Sequence, residues 1–86
     1  MKITYFLDVL KPHQPSSDIV ARTLMKINGV KKVKIQVDEL DQKTASLHIK
    51  VEGIDIILED IDKTLEDLNC ALHSVDEVIF SADEEL

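Results

Sequence analysis

Hydrophobic and polar positions alternate with a period of two along the first stretch of this chain. From Lys2 to Leu10, Ile3, Tyr5, Leu7 and Val9 share one side of an extended backbone, and Thr4, Phe6, Asp8 and Leu10 share the other. Apolar residues on both sides predict a strand inside a sheet, or one whose second face is covered. Pro12 and Pro15 then hold an extended loop with Lys11 and His13, because each proline drives the preceding residue out of helical space. The period next changes to that of a helix. Ser16 or Ser17 can cap it, Asp18 sits in the first turn against the positive dipole end, and Val20, Leu24 and Ile27, with Ile19 alongside, form the apolar stripe. Asn28-Gly29 predicts its stop, Gly29 supplying the left-handed conformation.

Alternation returns in two further strands. In the second, Val33, Ile35 and Val37 are expected to point inward, and Lys32, Lys34, Gln36 and Asp38 outward. After a hairpin turn at Asp41-Gln42-Lys43, the third sets Ala45, Leu47, Ile49 and Val51 against Ser46, His48, Lys50 and Glu52, and Gly53 is expected to end it. A second helix follows, with Asp55 as its expected cap and Ile54, Leu58, Ile61, Leu65 and Leu68 as its stripe; Asn69 takes the stop position. A fourth strand spans about Ala71 to Phe80.

The order is strand-helix-strand twice over, and Ile27-Asn28-Gly29-Val30 is echoed by Leu68-Asn69-Cys70-Ala71. With each crossover returning to one sheet, this predicts a ferredoxin-like α+β fold, a βαββαβ sandwich of a four-stranded antiparallel sheet with both helices on one face. Residues 1–80 form a single domain in this reading, and 81–86 an acidic tail expected to be disordered. The helix-free face would then expose Phe6 and Leu10, a contact surface and the expected interface between copies of the chain.

Size and charge narrow the function. A domain of 86 residues buries about 60–65 % of the surface its unfolded chain exposes, so self-association would be a natural source of extra burial. With aromatic residues at 3 % and no Trp, Val, Ile and Leu must build the core. Ten Lys+Arg against 17 Asp+Glu leave a net charge of −7, and the only basic cluster is Lys31, Lys32 and Lys34. Nucleic-acid and anionic-membrane partners are disfavoured, and cations or basic surfaces are favoured. Cys70 is the only cysteine, which excludes an internal disulfide and a cysteine-based zinc site and fits a cytoplasmic setting. The apolar N-terminal run is interrupted by Thr4 and Asp8 and reads as a strand rather than a signal peptide, and no run reaches the ~20 apolar residues of a membrane span.

Activities that this fold hosts leave signatures, and most are missing. Glycines are limited to Gly29 and Gly53, so no phosphate-cradling loop exists. Lys11 and His13 stand where an acylphosphatase would need an arginine in the first strand-helix loop. An RNA-recognition surface would need aromatics on both central strands, and beyond Phe6 the third strand offers only His48. Asp38-Glu-Leu-Asp41 lacks the alternating acids, central glycine and terminal glutamate of an EF-hand. What remains is a set of candidate ligands, Asp8, His13, Asp38, Glu39, His73, Asp76 and Glu77, with Lys11 and Ser74 in support. Carboxylates with histidine can hold a divalent cation, calcium or magnesium being favoured by oxygen donors. Against this, acids at strand ends usually face water, and His13 can simply brace its own loop. No nucleophile accompanies His13 and Asp8, so the chain is not expected to be an enzyme.

The strings Leu7-Asp-Val-Leu-Lys-Pro-His13 and His73-Ser-Val-Asp-Glu-Val78, with Val37-Asp-Glu39, resemble the small archaeal proteins grouped as "domain of unknown function two-one-one", over nearly the whole chain. The resemblance implies a ferredoxin-like fold, ring-like homo-oligomers, an archaeal cytoplasmic source and no established activity. It makes Asp8, Lys11, Pro12, His13, Asp38, Glu39, His73, Ser74, Asp76 and Glu77 the polar signature. Asn69-Cys70 stands where such proteins often carry Gly-Gly. The reading that follows is a homo-oligomeric binding module with a cation or small ligand on that signature. The alternatives are a metabolite-binding regulatory module at subunit interfaces, and an enzyme with a histidine-carboxylate base.

Overall fold

The computed structural model describes residues 1–82. Its elements run β1 (Lys2–Pro12), α1 (Ser17–Leu24), β2 (Val30–Leu40), β3 (Thr44–Ile54), α2 (Leu58–Asp67) and β4 (Ala71–Ser81). The strands form one antiparallel sheet in the order β2-β3-β1-β4. This is the ferredoxin-like α+β sandwich. Leu7, Val9, Leu47, Ile49 and Val51 from the sheet pack with Val20 and Leu24 of α1 and Ile61 and Leu65 of α2 in one core.

Local chemistry sets the element ends. The Ser16 hydroxyl accepts the Ile19 amide and caps α1. Gly29 and Asn69 adopt positive φ, 93° and 63°. Asn69 follows the cap residue Leu68 and stops α2 as its residue type allows. α1 instead ends at Leu24 with Met25 as its cap, so Ile27 and the expected stop at Asn28-Gly29 lie past the helix, where Gly29 turns the chain into β2. Asp55 does not cap α2. It lies two residues before the cap residue Ile57, its carboxylate pairs with the N-terminal ammonium at 3.0 Å, and its amide donates to the Met1 carbonyl. Ile54, expected on the α2 stripe, instead ends β3. That strand also continues through Gly53, because Gly53 is an approach point and not a break. A Cβ there would stand 2.2 Å from the Gly29 carbonyl oxygen, which accepts the Ile54 amide at 2.9 Å.

The helices are short and the strands long. Eight and ten helical residues cover about 12 and 15 Å, against about 36 Å for an 11-residue strand. The helices therefore shelter only part of the sheet. Val37, expected to be inside, is 54 % exposed, and Leu40, Val75, Val78 and Phe80 on the same side are exposed too. Ser81 closes β4, and the expectation for the acidic end beyond Ala82 lies outside the described residues.

Candidate functional site

The helix-free face is organised as rows across the sheet. Read from β2 to β4 through β3 and β1, the rows are Lys32–Glu52–Thr4–Ile79, Lys34–Lys50–Phe6–Glu77, Gln36–His48–Asp8–Ser74 and Glu39–Ser46–Leu10–Ala71. Four positions break the ladder as extra residues, Lys31 and Asp38 on β2 and His73 and Asp76 on β4. A bulge re-aims side chains and increases local twist. Three of the sequence candidates are therefore bulged residues on the two edge strands.

In the first row the Glu52 carboxylate accepts from the Thr4 hydroxyl at 3.1 Å and lies 3.6 Å from the Lys2 ammonium and 3.8 Å from that of Lys50. Burial alone would raise the Glu52 carboxyl, but Thr4, Lys2 and Lys50 outweigh it and hold the carboxyl below its usual range. The Lys50 ammonium also lies 5.7 Å from the centre of the half-buried Phe6 ring. Phe6 is thus partly covered by its own sheet, while Leu10 is exposed as expected.

Asp8 is half-buried between His48 and Ser74. His48 did not figure among the sequence candidates, yet its Nε2 lies 3.3 Å from an Asp38 carboxylate oxygen. The Ser74 hydroxyl donates to Asp76 at 2.7 Å. Asp8 and His73 line one shallow pocket with Val9, Leu10 and Ser46. A larger concavity of about 370 Å³ is framed by Phe6, Lys34, His48, Lys50, Asp76 and Glu77.

His13 is not part of these groups. It stands beyond Pro12, some 13 Å of strand from Asp8, where its ring meets the Gln42 carbonyl in the β2–β3 hairpin. Lys11 has a structural position. It is only 6 % exposed, and its ammonium donates to the carbonyls of Pro12, His13 and Pro15 at 2.7, 3.3 and 2.9 Å. The loop is folded around that charge. Among the described residues no three His, Cys, Asp or Glu side chains converge as a metal site. Burial pushes the Cys70 thiol up, partly countered by the positive charge of Lys11. No helix among the described residues is long and apolar enough to cross a membrane.

The profile of the family of domain of unknown function two-one-one, described as uncharacterized ArCR, matches residues 4–83. The chain belongs to this family. It is also similar to the uncharacterized protein MJ0319 of Methanocaldococcus jannaschii, 36 % identical over 47 residues, 55 % of this chain. The match spans 48 % of that relative, so the chain aligns with about half its length. The resemblance read from the motifs is therefore a membership, and the family's description records no activity.

Proposed function

We propose that this ArCR-family chain is a non-enzymatic, cytoplasmic assembly module whose copies join head to tail through their sheet edges and bind a ligand there. What supports the reading is the pair of edges. β2 and β4 are both 11-residue edge strands, and each leaves apolar side chains bare on the helix side: Val37 and Leu40 on one, Val75, Val78 and Phe80 on the other. Long apolar edges are templates for pairing with another chain. Because β2 runs with β1 and β4 against it, the β2 edge of one copy meets the β4 edge of the next as an antiparallel pair. A head-to-tail contact of this kind closes into a ring when its rotation allows.

The candidate ligands are divided between the same two edges, Asp38 and Glu39 on β2 and His73, Asp76 and Glu77 on β4. In this reading a divalent cation, calcium or magnesium, is held where the two edges meet by the β2 carboxylates of one copy and His73 of the next, with water completing its coordination. The about 370 Å³ concavity beside Phe6, at the low end for small-molecule sites, favours a second reading as a metabolite-binding regulatory module. Native mass spectrometry with and without chelator tests the proposal. A closed assembly that retains divalent ions and loosens under chelation is expected. A strictly monomeric chain at micromolar concentration rejects assembly, and a ring indifferent to chelator rejects the cation.

A further inference from the structure

One row of the bare face is polarised from edge to edge. Lys34 stands at the β2 edge directly opposite Lys50, a like-charge pair that weakens the ladder. Lys50 is engaged by Glu52 and the Phe6 ring, whereas Lys34 forms no ion pair among the described residues. At the far end Glu77 stands opposite Phe6 and likewise forms none. The row reads cation, cation, aromatic, anion, and its two unmatched charges lie on opposite edges.

Resting on the edge-assembly reading above, we infer the partner surface and its register: β4 of a second copy docks level with β2, so that Lys34 meets Glu77 of the next copy. Most of the remaining rows agree with this register, Lys32 falling level with Ile79 and Glu39 with Ala71. On the same face Gln36 comes level with Ser74, and the bulged Asp38 lies near the height of the bulged His73, so Glu77 is taken by Lys34 and the cation of the reading above falls to Asp38, Glu39 and His73. On the helix side the internal rows Val33–Val51–Tyr5–Val78, Ile35–Ile49–Leu7–Val75 and Val37–Leu47–Val9–Leu72 continue as Val33 to Val78, Ile35 to Val75 and Val37 to Leu72. Both faces are matched at once. A one-residue slip would set inward side chains of one copy opposite outward side chains of the next.

The test is a charge swap in the full chain, read by native mass spectrometry and sedimentation. Lys34→Glu and Glu77→Lys each set like charges across the junction and weaken assembly at least tenfold. The double variant restores it. An equimolar mixture of the two single variants also restores it, as assemblies of even subunit number, because only alternating copies match. Lys32→Glu, level with Ile79, leaves assembly intact. Circular dichroism melts check that each exposed substitution leaves the fold unchanged. If the wild-type chain assembles but neither the double variant nor the mixture recovers, the register is wrong while edge assembly stands. A monomeric wild type overturns both.

Discussion

Replacing Lys11 by methionine isolates the charge at the centre of the β1–α1 loop. Methionine keeps most of the apolar stem, so the core volume beside Ala45 is nearly conserved. Three carbonyls lose a cationic donor. At about 1.5–3 kcal/mol for each hydrogen bond to a charged group, with the 3.3 Å bond at the weak end, the gross loss is roughly 5–8 kcal/mol. Removing an ammonium that is costly to bury returns several kcal/mol of this. A net loss of about 2–4 kcal/mol remains, against roughly 4–13 kcal/mol for a domain of 86 residues. The expected fall in Tm is about 10–25 °C. Urea titration followed by circular dichroism measures the change directly. Its size should be insensitive to salt, since the partners are neutral carbonyls. The same variant should move the Cys70 thiol further up, read from thiolate absorbance against pH, because the opposing positive charge is gone. A loss under ~0.5 kcal/mol would show that water replaces the ammonium freely and that the loop does not depend on it.

Two further outcomes follow from the fold. Gly53→Ala forces its Cβ against the Gly29 carbonyl at 2.2 Å and the Ile56 side chain at 2.9 Å. It should cost about 1–3 kcal/mol or more, seen as a lower urea midpoint at unchanged slope; an unchanged midpoint would mean that the two backbones can separate. Glu52 contributes stability above its ordinary pKa of 4.5, because its folded carboxyl titrates lower; that contribution disappears as pH falls through the depressed value. The stability gap between wild type and Glu52→Gln should therefore be widest near neutral pH and close below about 4.5, and a gap that stays constant from pH 7 to 3 would refute the assignment.

Element types and order were legible from local periodicity, and so was the stop at Asn69, because one residue's conformational preference is enough to end a helix; α1 ends at Leu24, ahead of the stop read at Gly29. Even the bulges leave a trace in the sequence. Inward residues fall at Leu72, Val75, Val78 and Phe80, and at Val30, Val33, Ile35, Val37 and Leu40, so each step of three among steps of two marks one extra residue. Motif content sufficed for family membership. What only the tertiary structure decided is which side chains meet across strands. Pairing placed His48 beside Asp38 and Asp8, separated His13 from Asp8, and turned Lys11 from a supporting residue of the candidate site into the anchor of its own loop. Exposure was decided there too. Alternation assigns Val37, Val75 and Val78 to the helix side, but the reach of two short helices settles whether that side is covered. Cross-strand register and helix coverage depend on residues far apart in the chain, and a local pattern carries no information about them.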